Sequence, residues 1–340
     1  MKRTLPPSDT HVIDGLKNAY GIDVTTLTRL SLGADIDALT YKAHAHDGSF
    51  YFVKLKQNHD HGISTHILAL LRQSGLQQII PLLPTVTGAP AQTLGDWTMT
   101  ISPFIEGTNG FSRDLTKAQW HTLGEIMKKI HQIDVPHSLQ SLMRREVYAP
   151  TWREAVRSLY SLMEAAPKGD AIAVNLLIFM KKHKDTLHRL VNRAEKLAEK
   201  SQKQSLESVL CHTDIHAGNI LIDQNDTLYV VDWDAPMMAP KERDLMFIGG
   251  GVGNIWNKAD EEKWFYQGYG KAPINQTLLA YYRHERILED IAIYGQQLLL
   301  KDEGGSERTT WYTDFIAQFA PHGVVDIAFK TDDALNFQGS

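Results

Sequence analysis

Apolar and polar residues alternate along much of the first hundred residues, and this period of two is the pattern of half-buried strands. The strands that it predicts, in chain order, span 24–33, 38–46, 49–56 and 94–101. Asp47 and Gly48 form turns readily and predict a hairpin between the second and third strands. A helical period over 63–72 stops at Ser74-Gly75, so we expect a small β-rich unit that contains one helix.

A helical period of 3.6 residues dominates the chain after Pro103. The helices that it predicts span 117–133, 151–164, 174–200, 276–300 and 307–319. Short apolar runs interrupt them and predict strands at 208–211, 220–222 and 228–231. The expected fold class is therefore α+β, with a small β-rich lobe followed by a larger helical lobe.

The same patterns predict the domain boundaries. We expect an N-terminal lobe over 1–101, a hinge at 102–107 where Pro103 and Gly107 break regular structure, and a C-terminal lobe over 108–331. The polar residues 332–340 are expected to form a loose tail. An active site between two lobes is the default expectation for this layout.

Composition narrows the classes of function. The 340 residues are 43% hydrophobic and carry a formal net charge of −5, which suits a cationic small molecule better than nucleic acid or an anionic membrane. The single cysteine, Cys211, excludes an internal disulfide, and the N-terminus lacks the apolar segment of a signal peptide. The longest nearly apolar stretch, 171–180, is too short to cross a bilayer. We therefore expect a soluble cytoplasmic protein that acts on a small molecule.

A dense polar cluster lies in the loop 212–219, between two apolar strands. Four residues separate Asp214 from Asn219, the spacing found in kinase catalytic loops between the Asp that accepts the hydroxyl proton and the Asn that binds metal. Asp232, at the end of the next strand, stands where a second magnesium-binding carboxylate is expected. These residues in this order predict magnesium-dependent phosphoryl transfer from ATP and a two-lobed protein-kinase-like fold.

Other residues around this loop have more than one interpretation. His212 suits a hydrogen-bonding scaffold better than a catalyst, while His216 suits either a brace within the loop or a position near the γ-phosphate. A zinc site of Cys211, His212 and His216 is a further alternative, although it lacks a fourth ligand. Asp244 is expected to brace the loop.

The nucleotide phosphates are expected to meet the first lobe. Lys54, flanked by apolar residues in a predicted strand, resembles the kinase lysine that contacts the α- and β-phosphates, and Lys56 on the same face is the alternative. Gly33 and Asp35 lie in a turn that either covers the phosphates or is a plain hairpin turn. Kinases pair the lysine with an acid on the next helix, but 63–72 contains none, so either Asp60 replaces that acid or ATP positions the lysine.

The adenine ring is expected beside the segment that follows Ile101. Backbone groups of 102–105, which include Ser102 and Phe104, would bond to the base, and Ile222 or Val231 would lie beneath the ring. These assignments follow only from position in a kinase-like fold.

The string HTDIHAGNIL at 212–221, followed by Asp232, resembles the signature of the aminoglycoside phosphotransferase and choline kinase family. More narrowly, the chain is similar over nearly its whole length to the spectinomycin phosphotransferases of that family, with shared stretches that include 239–254 and 282–286. The resemblance implies that Asp214 is the catalytic base and Lys54 the ATP lysine, and that Asn219 and Asp232 bind magnesium. It also implies transfer to a hydroxyl of spectinomycin.

Spectinomycin is an aminocyclitol whose amines are cationic near neutral pH, so acidic side chains are expected around it. The candidates, with Trp256 as an apolar or cation–π wall, are the acids Asp234, Glu285, Glu289 and Asp290. The last three can instead pair with Arg283 and Arg286 at three- and four-residue helical spacing. Asp234 has two alternatives, which are to help hold the metal or only to cap the turn that follows it.

Two other functions stay open on the sequence. One is a kinase for another small alcohol, such as choline, homoserine or a sugar. The other is a nucleotide-binding pseudokinase, which the missing helix acid favours and the presence of Asp214, Asn219 and Asp232 disfavours.

Overall fold

A computed structural model describes residues 6–30, 38–57, 62–164, 170–301, 305 and 307–337. Its strands are β1 Val24–Leu30, β2 Ala38–Ala45, β3 Phe50–Gln57, β4 Gln92–Leu94, β5 Trp97–Pro103, β6 Gly107–Asn109, β7 Arg144–Arg145, β8 Val209–Cys211, β9 Ile220–Asp223, β10 Leu228–Val230 and β11 Met237–Ala239. Its α-helices are α1 Asp9–Tyr20, α2 Ile63–Gln73, α3 Lys117–His131, α4 His137–Gln140, α5 Thr151–Glu164, α6 Ala171–Lys182, α7 Lys184–Gln202, α8 Glu242–Leu245, α9 Ala259–Tyr269, α10 Gln276–Leu300, α11 Glu307–Ala317 and α12 Val324–Phe337.

The chain forms two compact units, and the first consists of the described residues of Met1–Arg113, Gln132–Met143 and Gly218–Pro236. Its main sheet is antiparallel, with the strand order β1-β2-β3-β5-β4. Helix α1 packs its apolar residues into the core of this sheet. Along β3, Val53 and Leu55 are buried in that core, so the alternation of a strand places Lys54 and Lys56 on the opposite face.

The second unit consists of the described residues of Asp114–His131, Arg144–Ala217 and Met237–Ser340. Helix α10 runs through it and packs against α5, α7, α11 and α12. The side chain of Asn275 caps this helix by accepting hydrogen bonds from the backbone N–H groups of Thr277 and Leu278. The apolar faces of these helices form one core, which includes Leu159, Leu190 and Ile291.

The strands that precede and follow the loop 212–219 in the chain belong to two short three-stranded sheets. In the second unit, β8 ends at Cys211 and pairs with β11, which also pairs with β7. In the first unit, β9 begins at Ile220 and pairs with β6 and β10. The loop that carries the predicted catalytic residues is therefore anchored by a strand at each end.

Several elements differ from the sequence-based expectation. The predicted helix 174–200 is two helices, α6 and α7, which are separated at His183. Helices α1 and α9 were not predicted, although the buried Val12 and Leu16 of α1, and Phe265 and Tyr269 of α9, have the four-residue spacing of one helix face. Residues 332–337 of the expected loose tail belong to α12, and Asp332 is buried beside Arg193 at 3.2 Å. The predicted hinge at 102–107 lies within the first unit.

No helix in the described ranges combines the length and the apolar composition that crossing a bilayer requires.

Candidate active site

The start of the loop 212–219 is held by Asp244, which follows it along the chain in the second unit. The Asp244 carboxylate accepts hydrogen bonds from the backbone N–H of His212 at 2.9 Å and of Thr213 at 2.7 Å. Thr213 has a φ of 81°, which a β-branched residue rarely adopts. Burial raises the pKa of Asp244, but hydrogen bonds from His131 and the loop outweigh this and lower it. An ionised, fully buried carboxylate thus stabilises a strained turn immediately before Asp214, as the sequence led us to expect.

The predicted zinc alternative of Cys211, His212 and His216 does not form. Among the described residues, Cys211 instead groups with His131 and Asp244, whose potential ligand atoms lie within 4.8 Å of one another. Each of the three already has a protein partner. His131 contacts Asp244 at 3.1 Å through Nε2 and the hydroxyl of Tyr269 at 2.8 Å through Nδ1, and the Cys211 thiol donates to the carbonyls of Ala239 and Pro240. Burial raises the pKa of the Cys211 thiol, which favours the protonated form over the thiolate that zinc requires.

Asp214 has a partner on each carboxylate oxygen. Nη1 of Arg286 lies 2.8 Å from Oδ1, and Nε2 of His216 lies 3.4 Å from Oδ2. Burial raises the pKa of Asp214, but the hydrogen bond from His216 and the charge of Arg286 more than compensate, so the pKa falls below its usual value. The carboxylate is therefore ionised at neutral pH and able to accept a hydrogen bond from a substrate hydroxyl.

Two of the acids considered for the substrate contact Arg286 on α10. Asp290 lies 3.2 Å from its Nη2, and Glu289 lies 4.0 Å from its Nη1. Burial raises the pKa of Asp290 to about 6 although Arg286 opposes the shift. These contacts are the helix-face pairs that the spacing allowed.

Glu285 and Trp256 are buried in the second unit. Glu285 lies 3.2 Å from Nη1 of Arg153, which is itself 1% exposed, and burial raises the pKa of the glutamate to about 7. Trp256 is 4% exposed and packs edge-on against Trp120 at 4.8 Å between ring centroids. Both side chains therefore contribute to the interior of this unit, and neither offers a broad exposed face to a ligand.

In the first unit, Lys54 lies within a cluster of opposite charges. Its Nζ is 2.8 Å from Oδ1 of Asp232 and 2.6 Å from Oδ1 of Asp234, and Lys56 contacts the other oxygen of Asp234 at 2.9 Å. Ser64 of α2 donates a hydrogen bond to the Asp234 carbonyl at 3.3 Å. Burial lowers the pKa of Lys54, but the two aspartates raise it above its usual value. The acid that α2 lacks is thus supplied by the segment after β10.

Asn219 and Asp232, the predicted magnesium ligands, are brought close by the backbone of the first unit. Val231 donates its N–H to the carbonyl of Asn219 at 3.0 Å, so Asp232 leaves the strand beside Asn219. Asp232 has a φ of 65°, an uncommon conformation for a residue other than glycine, and its side chain is 44% exposed. A carboxylate and an amide oxygen are the hard donors that Mg²⁺ prefers, so the residues present fit this ion.

The predicted adenine contacts occupy the first unit as well. Ser102 pairs with Phe52 in the main sheet, and Phe104 donates its N–H to the carbonyl of Phe50 at 3.0 Å. Ile222 is buried in β9, and Val231 follows β10. The other predicted nucleotide residues lie outside the described part of the chain: Gly33, Asp35 and Asp60.

Sequence reasoning missed two contacts of this site. It considered Arg286 only as a helix-face partner of Glu289 and Asp290, and nothing in the local pattern connects it with Asp214. It also passed over His131, although a histidine on the apolar face of α3 was a usable signal.

The sequence pattern of the family described as phosphotransferase enzyme family matches residues 28–280. No curated protein sequence matches the chain.

Several solved structures are similar to this chain. The spectinomycin phosphotransferase APH(9)-Ia in complex with ADP and spectinomycin is 43% identical over 96% of this chain and 99% of its own, with a TM-score of 0.91. Its AMP-bound complex is 42% identical over 95% and 99% of the two chains, with a TM-score of 0.85. The amicoumacin kinase hAmiN, at 15% identity over 93% and 95% of the chains and a TM-score of 0.64, shares the fold. The chain therefore belongs to the phosphotransferase enzyme family and has its kinase-like fold.

Proposed function

We propose that this enzyme transfers the γ-phosphoryl group of ATP to a hydroxyl of spectinomycin, a cationic aminocyclitol. The observation that supports this most strongly is the 43% identity, over 96% of the chain, to a phosphotransferase whose structure contains ADP and spectinomycin. The ionised Asp214 carboxylate, with its fixed surroundings, supports the same chemistry.

In the proposed reaction the hydroxyl oxygen of the substrate forms a bond to the γ-phosphorus, and the bond from that phosphorus to the β–γ bridging oxygen breaks. Asp214 orients the hydroxyl and accepts its proton as the bond forms, and ADP leaves with the bridging oxygen. The transition state is loose, so orientation matters more than the strength of the base.

Lys54 neutralises phosphate charge from the face of β3, where Asp232 and Asp234 hold its ammonium group. Asn219 and Asp232 would hold Mg²⁺, which when bound neutralises charge on the transferring phosphate.

The proposal is tested by incubating purified protein with MgATP and spectinomycin and measuring ADP release and phosphorylated product. Spectinomycin should raise ADP release well above that with ATP alone. Asp214→Asn should lower kcat roughly 10²–10⁴-fold, because the variant lacks the general base. Its nucleotide affinity, measured by calorimetry, should stay close to that of the wild type.

Assays with other phosphate acceptors give the results that would contradict the proposal. If choline, homoserine or a sugar is phosphorylated and spectinomycin is not, the antibiotic assignment is wrong. If Asp214→Asn keeps the wild-type rate, Asp214 is not the base.

A further inference from the structure

We propose that Arg286 is a positioning residue for catalysis, which holds the carboxylate of Asp214 in one orientation from helix α10. This inference rests on the proposed function, because it assigns a role to a neighbour of the proposed base. It concerns a residue 72 positions away from Asp214 along the chain.

The first support is the geometry of the contact. Nη1 of Arg286 donates a hydrogen bond to Oδ1 of Asp214 at 2.8 Å, a distance typical of a charge-assisted bond. Because His216 lies 3.4 Å from the other oxygen, rotation of the carboxylate about its terminal bond would lengthen at least one of these contacts. Each oxygen has a further lone pair, so the clamp leaves room for a substrate hydroxyl to donate to Asp214.

The second support is that Arg286 is itself held in place. Asp290 contacts its Nη2 at 3.2 Å, Glu289 lies 4.0 Å from Nη1, and its guanidinium carbon lies 5.9 Å from the ring centroid of Phe247. The residue is anchored on a long helix that packs into the core of its unit. Because the guanidinium of Arg286 is restrained by these contacts, it holds the Asp214 carboxylate in one position.

The third support is an unfavourable feature of this arginine. Its Nε is buried and has no hydrogen-bond acceptor among the described residues. A buried N–H without an acceptor is unfavourable, so the guanidinium is not oriented to satisfy its own donors. Its orientation instead favours the contact with Asp214, a compromise that is expected at functional sites.

The charges around Asp214 set the direction of the expected pH effect. His212 and His216 face it from its own loop, and Arg286 and Asp290 face it from α10. Removing the arginine leaves Asp214 near the acid Asp290 without the intervening positive charge. The pKa of Asp214 should then rise, and the enzyme should lose its ionised base at a higher pH than the wild type does.

The main experiment compares Arg286→Met and Arg286→Lys with the wild type, using MgATP and spectinomycin across a pH series. Arg286→Met should lower kcat roughly 10²-fold, because a misplaced base loses its orientation, while KM for ATP stays near the wild-type value. The acid limb of its kcat profile should move to higher pH. Arg286→Lys should return that limb towards the wild type because it restores the charge, with only partial recovery of kcat.

Arg193→Met is the matched control, since Arg193 pairs with the buried Asp332 at 3.2 Å on other helices of the same unit. It should lower thermal stability without moving the acid limb. If Arg286→Met keeps kcat within twofold, or loses rate with an unmoved acid limb, the positioning role is wrong.

A readout without any acceptor separates this inference from the proposed function. The carboxyl carbon of ¹³C-labelled Asp214, assigned by its loss in Asp214→Asn, should titrate at higher pH in Arg286→Met than in the wild type. If the wild type fails to phosphorylate spectinomycin, the proposed function fails while this titration still tests Arg286. An identical titration in both proteins overturns the inference.

Discussion

At the scale of single residues, the pairing of Lys54 explains how the enzyme manages without an acid on α2. A lysine on a strand needs a fixed counter-charge to hold its ammonium group towards phosphates. Here Asp234 contacts both Lys54 and Lys56, and Ser64 of α2 holds the backbone at Asp234. Asp234, which the sequence suggested for the substrate, is therefore better placed to orient the lysine.

This role predicts the behaviour of Asp234→Asn. The variant lacks the charge that holds Lys54, and a hydrogen bond between charged groups contributes about 1.5–3 kcal/mol. We expect KM for ATP to rise by about tenfold or more, with KM for spectinomycin little changed in initial-rate measurements. Asp226→Asn, the same change at an exposed aspartate of this unit, should leave both constants near wild type. A rise confined to the KM for spectinomycin would contradict this role and assign Asp234 to the substrate.

At the scale of secondary-structure elements, helices α3 and α9 approach each other unusually closely. A Cβ atom at Gly124 would lie 2.2 Å from the carbonyl oxygen of Phe265, and one at Gly268 would lie 1.9 Å from that of His121. The two glycines therefore allow backbone-to-backbone packing. This packing positions His131, at the end of α3, against Tyr269 and Asp244. Small residues on two helices thus support the brace of the catalytic loop.

Gly124→Ala and Gly268→Ala should accordingly destabilise the protein by about 1–3 kcal/mol, because the added methyl group meets backbone atoms that cannot rotate away. The gain in helix propensity, up to about 1 kcal/mol, does not offset this cost. Gly15→Ala is the control, because its Cβ would meet only side-chain ends, with Met99 Cε at 3.1 Å. Urea unfolding of the three variants is the measurement. Equal stability of all three would show that the close approach is not limiting.

At the scale of the whole molecule, buried and partly buried acids of two kinds shape the dependence of stability on pH. Asp214 and Asp244 have lowered pKa values, so their contribution is present above the usual aspartate value and is lost as pH falls through the folded pKa. Glu285 and Asp290 have raised pKa values of about 7 and about 6, and burial is the main cause in each case. Their contribution is present at low pH and is lost as pH rises.

Glu285→Gln isolates one of these contributions. The glutamate titrates near 4.5 when unfolded and near 7 when folded, so the free energy of unfolding of the wild type should fall relative to the variant between these values. The relative change should be on the order of 3 kcal/mol, at about 1.4 kcal/mol per pKa unit. Urea unfolding at several pH values tests it, with the exposed Glu199→Gln as a control that should follow the wild type. Parallel curves for wild type and Glu285→Gln would contradict the raised pKa.

The sequence by itself determined the features that depend on neighbouring residues. The loop 212–219, its flanking strands and the face of β3 that carries Lys54 were all predictable, because turn chemistry and hydrophobic period act over a few residues. Asp244 as the brace of the loop was also anticipated.

Only the tertiary structure decided which distant side chains meet. Arg286 reaches Asp214 and Asp234 reaches Lys54, across 72 and 180 positions respectively, and no periodic pattern encodes such contacts. The break between α6 and α7 and the helical residues 332–337 likewise depend on packing, because a helix end is set by what its apolar face buries. Local chemistry therefore specified the reacting groups, whereas the folded core specified the charges that orient them.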